Sequence, residues 1–143
     1  MEIFQPINIT GASRTLTKND SNAVMTVNRA AGSTLTLPAS SGSGVHFRIF
    51  VGTTITSNNL VVQVANATDI MSGAAIMGQD SADTAVFWET ASDSDTITMN
   101  GSTKGGIKGD MIELIDVASG TWYVKIIGSA TGTEATMFSA AVS

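Results

Sequence analysis

The chain has 143 residues and a mass of 14.7 kDa, a length that suits one domain able to bury roughly 68 to 70% of its unfolded surface without staples. Charged residues make up only 13%, about half the usual share of a soluble domain, and 7 basic against 12 acidic residues give a net charge of −5. That balance lacks the basic footprint nucleic-acid phosphates require, and a sequence without cysteine excludes a disulfide scaffold, a thiolate zinc site, an iron–sulfur cluster and a cysteine nucleophile.

β-branched residues and turn formers dominate: 24 Val and Ile, 19 Thr, 16 Ser, 14 Gly and 8 Asn stand against 5 Leu. The first ten residues carry Ile3, Phe4, Pro6, Ile7 and Ile9, more apolar surface than a free terminus normally exposes, while Pro6 cannot donate to a central ladder. Three readings stand for residues 1–11: an edge strand of the chain's own domain, an extended arm that docks on a partner, or a disordered terminus. Residues 12–143 then form the single β domain. The start shows no basic region ahead of an apolar run, and no stretch approaches the roughly 18 apolar residues of a membrane span. The expectation is a protein made and used without secretion or membrane contact.

From there the pattern is strand, turn, strand. Segments 14–17 and 23–28 come first; in 33–37, Thr34 and Thr36 alternate with Leu35 and Leu37, and in 45–51, Val45, Phe47, Ile49 and Val51 share one face with His46 and Arg48 on the other. Further strands are expected at 60–65, 85–89, 96–99, 111–117, 122–127 and 136–142, each bounded by Gly, Asn, Asp or Ser. Asn58-Asn59, Asn100-Gly101, Gly105-Gly106 and Ser119-Gly120 supply residues that tolerate positive φ, and hairpins are expected at Ser119-Gly120 and near Asn58. Segments 70–77 and 135–142 could each hold a turn or two of helix, otherwise a minor component. Short, regularly spaced strands predict an all-β fold: a single compact antiparallel β-sandwich or barrel, jelly-roll-like, because parallel pairs need long crossover connections.

Chemistry is hard to find. His46 is the sole histidine, so the chain offers one possible imidazole base, and no nucleophile-elbow motif frames a serine. Carboxylates cluster locally as Asp80 with Asp83, Asp93 with Asp95, and Asp110 with Glu113 and Asp116. None has the spacing of a calcium loop, and they read as solvated turn carboxylates. The run Gly101 to Gly106 with Lys104 lacks the order of a phosphate-binding loop and reads as a hairpin loop. Phe87-Trp88 and Trp122-Tyr123 should each send one ring into the core and one to a surface. No catalytic residue, cofactor or metal ligand emerges, and the expectation is that the chain is not an enzyme. Few charges, seven methionines and apolar strands such as 60–64 suit surfaces buried against neighbouring subunits.

The segments 13–20 (SRTLTKND), 26–38 (TVNRAAGSTLTLP), 47–59 (FRIFVGTTITSNN), 64–71 (VANATDIM), 95–103 (DTITMNGST) and 129–136 (SATGTEAT) resemble those of small virion structural proteins of tailed bacteriophages. Among these, a head decoration or cement protein fits best, since no heptad shaft or repeat of a tail fibre precedes the domain. The resemblance implies a non-enzymatic homotrimer on the capsid exterior, assembled in the host cytoplasm, that binds the major capsid protein and bridges capsomers. It would bind through tethered, multivalent contacts. On that expectation Ile3, Phe4, Pro6, Ile7 and Ile9 bridge to the capsid, and sheet faces carrying Phe50, Trp88 or Tyr123 form subunit contacts. Removing residues 1–9 should then weaken capsid binding and leave thermal unfolding nearly unchanged. The competing reading is a tail-fibre or spike module that recognises a host receptor or glycan, with Trp88 and Trp122 as the stacking candidates.

Overall fold

The computed structural model describes residues 5–142. Twelve strands run in chain order as β1 (Ile7–Ile9), β2 (Ser13–Thr15), β3 (Val24–Val27), β4 (Thr34–Thr36), β5 (His46–Val51), β6 (Leu60–Gln63), β7 (Ile70–Gln79), β8 (Ala85–Glu89), β9 (Thr96–Met99), β10 (Met111–Ala118), β11 (Thr121–Ala130) and β12 (Phe138–Ser139), with a single 3-10 turn at Lys18–Asp20. They form a seven-stranded sheet in the order β1-β3-β5-β10-β11-β7-β8 and a five-stranded sheet in the order β12-β9-β6-β4-β2. The inner faces meet in one core, where Phe47 and Trp122 stack with ring centroids 5.7 Å apart. The expected all-β sandwich is the observed architecture.

Its strand directions are not those expected. Half of the pairings are parallel, namely β1 with β3, β3 with β5, β2 with β4, β4 with β6, and β7 with β11. The antiparallel, jelly-roll-like course is corrected on this point. From β1 to β6 the chain steps from one sheet to the other at every strand, so each crossover between parallel neighbours is itself a strand of the opposite sheet. The dozen or more residues that a parallel connection needs are thereby supplied without a helix. Only β7–β8 and β10–β11 follow one another within a sheet.

This course decides two local expectations. Ser119-Gly120 is the two-residue turn of the β10–β11 hairpin, with Ala118 opposite Thr121 and Gly120 at φ 79°. Asn58 and Asn59 do adopt positive φ, at 53° and 54°, but they join β5 to β6 across the two sheets, so no hairpin forms there. Residues 70–77 are strand rather than helix. Met71, Ala75 and Met77 point inward beside Trp122, Ile126 and Gly128 of β11, and the period of two is masked at Gly73, whose missing side chain leaves room for the Val124 carbonyl.

Of the expected N-terminal arm, Ile7–Ile9 is an edge strand of the domain's own sheet, parallel to β3. Ile9 is 3% exposed and Ile7 packs against the core, since an apolar side chain gains more from that core than from water. Of the three readings of this segment, residues 7–9 take the edge strand.

Candidate functional site

The expected contact residues divide sharply. Ile3 and Phe4 lie outside the described residues, Pro6 is exposed just ahead of β1, and Ile7 and Ile9 are committed to the sandwich. Trp88 faces inward against the core, and the outward position on β8 belongs to Phe87, 62% exposed. Phe50 and Tyr123 do stand on a common surface, the outer face of the seven-stranded sheet. Trp122 is wholly buried and cannot stack on a glycan, which removes one of the two candidates of the receptor-binding reading. Trp88, half-buried with its ring turned to the core, is poorly placed for the same task.

Register assembles that outer face from residues far apart in sequence. Met111 of β10 sits between Phe50 of β5 and Ile127 of β11; Ile127 pairs with Ile76 of β7, and Ile76 with Phe87 of β8. Strand spacing of about 4.8 Å makes this a continuous apolar row. Ile76, Phe87 and Ile127 are 47%, 62% and 55% exposed, which is unusual for large apolar side chains grouped on one surface. The next row along the strands reads Arg48, Glu113, Lys125, Ala74 and Glu89, and the row beyond it His46, Ile115, Tyr123 and Ser72. Sequence reasoning found Phe50 and Tyr123 but missed Met111, Ile127, Ile76 and Phe87. Their alternation was visible strand by strand, whereas their alignment depends on which strands pair.

The opposite outer face is of another kind. Ser13, Thr34, Val61 and Thr98 form one cross-strand row of the five-stranded sheet and Thr15, Thr36, Gln63 and Thr96 the next. It is uncharged and hydroxyl-rich where the first is apolar and ionic.

His46 lies on the outer face of β5 as expected, with Nε2 3.7 Å from Glu113 Oε1. The carboxylates depart from expectation. Asp80, Asp83 and Asp93 are exposed, but Asp95, Asp110 and Asp116 are buried, so the reading as solvated turn residues is corrected for these three; Asp69, which the sequence reading did not single out, is buried as well. Each ties loops together by accepting hydrogen bonds. Asp116 accepts from the backbone N–H groups of Ser41, Gly42 and Ser43 at 2.9 to 3.2 Å and from the hydroxyls of Ser40 and Ser43 at 2.8 and 2.6 Å. Burial disfavours its charge, yet these donors outweigh burial and hold its carboxyl well below the usual carboxylate range. Asp95 behaves alike: burial raises it, and bonds from Thr96 Oγ1 and the N–H groups of Ala141 and Val142 bring it below its ordinary value. Asp69 accepts from the Ser40 N–H and from Asn66 Nδ2.

Asp110 is the exception. It accepts from Gly106, Ile107 and Ser129 N–H groups, but burial against Gly128 prevails and pushes its carboxyl up. These oxygens are turned to backbone donors. Among the described residues no three His, Asp or Glu side chains come together to hold a metal ion.

The loop 101–106 is a tight turn but not the expected hairpin loop, because it carries the chain from β9 in one sheet to β10 in the other. Asn100 Oδ1 accepts from the Ser102 and Lys104 N–H groups, and the Ser102–Gly105 bridge closes it. A cleft of about 420 Å³ lies at the β1 end of the larger sheet, between Gln5-Pro6, residues 21–24 and Arg48. Its one charged side chain, Arg48, donates from Nη2 to the Asn22 carbonyl at 3.2 Å. Among the described residues no base or second charge faces it there. The two broad faces are the larger surfaces on which side chains of one chemical kind are grouped. Comparison of the chain with protein-family models, with curated proteins and with solved structures finds no match.

Proposed function

We propose that the chain is a non-enzymatic virion structural protein, a bacteriophage head decoration protein that binds the outer capsid surface and braces neighbouring capsomers. The observation that carries this reading is the exposed apolar row Phe50-Met111-Ile127-Ile76-Phe87 on a sheet otherwise stitched shut by buried carboxylates. A rigid slab with unlike flat faces binds by area rather than by enclosing a small molecule, and area contacts are what a shell-bracing protein needs. The resemblance of segments 13–20, 26–38 and 47–59 to phage virion proteins supplies the shell as partner. With Ile7 and Ile9 taken up by the sandwich, the capsid contact falls to the sheet faces and to the residues ahead of β1. Repetition of a modest contact around the shell raises avidity far above the affinity of one copy.

The test is sedimentation of the purified protein with empty expanded heads of the phage that carries its gene. Stoichiometric pelleting, and heads that withstand heating better when coated, are expected. Protein that stays in the supernatant but adsorbs to host cells would overturn this reading in favour of a tail receptor-binding module.

A further inference from the structure

We infer that the outer face of the seven-stranded sheet is the contact for a second copy of this chain, packed face to face about a two-fold axis that runs along the strands between β10 and β11. The inference concerns the protein free in solution and goes beyond its proposed place on a capsid.

The argument rests on a pair of opposite charges at the proposed axis, Glu113 and Lys125, that exchange places on rotation within an apolar face. Across the sheet their row reads positive at Arg48, negative at Glu113, positive at Lys125, neutral at Ala74 and negative at Glu89. Among the described residues the ion pairs are Arg14 with Asp20 and His46 with Glu113, so Arg48, Lys125 and Glu89 have no ionic partner among those residues. Rotation about the proposed axis exchanges β10 with β11, β5 with β7 and β3 with β8. Glu113 then opposes Lys125 of the second copy and the reverse, while Arg48 opposes Ala74 and lies one strand spacing, about 4.8 Å, to the side of Glu89 across the roughly 10 Å between packed sheets. The charge contact that complements itself is the Glu113–Lys125 pair, made twice by symmetry.

Four of the five residues of the apolar row exchange in pairs under the same rotation. Met111 faces Ile127, Phe50 faces Ile76 and Phe87 faces Thr26, the cross-strand neighbour of Phe50. Ile115 faces Tyr123 in the row beyond. An isologous contact needs this property, that residue i meets j and j meets i. Six strands about 4.8 Å apart and a β10 of eight residues give a face of roughly 700 to 800 Å² per copy, the size of a standard stable interface. Packed sheets cross at about 30°, so pairs nearest the axis, Glu113 with Lys125 and Met111 with Ile127, align best.

The experiment is solution mass of the full chain by sedimentation equilibrium, with charge reversals at the axis. The wild type should weigh about 29 kDa, twice 14.7 kDa. Lys125→Glu and Glu113→Lys should each weaken association about 100-fold, because like charges then face each other twice by symmetry. Each variant should keep the thermal unfolding of a folded sandwich. Mixed in equal amounts, the two variants should regain the 29 kDa species, since the heterodimer restores opposite charges at both places. The double variant should regain it alone. A wild-type mass of 14.7 kDa or of the 44 kDa trimer that the resemblance implies would overturn the inference, as would single variants that leave the mass unchanged or fail to associate on mixing. The outcomes are read without capsids, so this inference can fail while the decoration reading stands; a confirmed dimer would cover the apolar row and leave the capsid contact to the hydroxyl-rich face of the five-stranded sheet.

Discussion

Replacing Asp116 should show how much of this sandwich's stability resides in one buried carboxylate. Its donors are three backbone N–H groups and two serine hydroxyls of the 40–43 segment, and the side chain is 1% exposed. A hydrogen bond to a charged group contributes about 1.5 to 3 kcal/mol net, so a plain sum over five donors would reach the whole stability of a domain. The true cost is smaller because the hydroxyls can turn elsewhere: Ser40 Oγ already lies 2.7 Å from the Ala118 carbonyl oxygen. What cannot turn are the N–H groups of Ser41, Gly42 and Ser43, each costing about 1 to 3 kcal/mol when left unsatisfied. Asp116→Ala should therefore destabilise by about 4 kcal/mol and lower the midpoint of thermal unfolding by roughly 15 °C for a domain of this size. Asp116→Asn keeps one acceptor oxygen but turns an amide against the Ser43 donors, and about half that loss is expected. Urea unfolding followed by tryptophan fluorescence measures both. An Asp116→Ala protein within 1 kcal/mol of wild type would refute the account of how these loops are held.

Acid should unfold the protein through the same groups. Asp116 and Asp95 have folded-state values below the ordinary one, so the stability they contribute is present above about pH 4, the unfolded carboxylate value, and is lost as pH falls through their folded values. Asp110 is raised and works the other way, its contribution being lost as pH rises. In stability–pH profiles from urea titrations, Asp116→Asn should flatten the acid limb and Asp110→Asn should steepen it. Gly128→Ala should cost about 2 kcal/mol or more, because a Cβ there would run into the Asp110 carboxyl; a neutral result in thermal melts would show that Asp110 can give way. Removing residues 1–9 takes away β1 with the buried Ile9 and should cost about 3 kcal/mol or more, reversing the sequence-based expectation of unchanged unfolding. Trp122→Ala should cost about 4 kcal/mol by loss of the ring stacked on Phe47, read as an earlier urea midpoint.

Period-two alternation made most strands legible. It placed 45–51, 85–89 and 96–99 within a residue of β5, β8 and β9. It also split Trp122 from Tyr123 correctly between core and surface. Strand direction was not legible, because a crossover that passes through the opposite sheet looks in sequence like any pair of neighbouring short strands. β7 was ambiguous since Gly73 carries no side chain to mark its inward position, and an apolar run with a glycine suits a helical turn as well. The buried aspartates escaped for a related reason. In sequence, Asp116 is a charge near a turn, and the loop that wraps it lies more than seventy residues earlier. The outer apolar row depends on the same long-range register, so Phe50 and Tyr123 were found singly, while Met111, Ile76, Ile127 and Phe87 were missed because only strand pairing aligns them.

The decoration reading is tested most directly by counting copies on the shell: empty expanded heads are mixed with increasing protein, pelleted, and the bound amount measured. Saturable binding at a fixed ratio to the major capsid protein, with coated heads surviving a higher temperature than bare ones, is the predicted result. Heads that pellet without the protein at any concentration would contradict it.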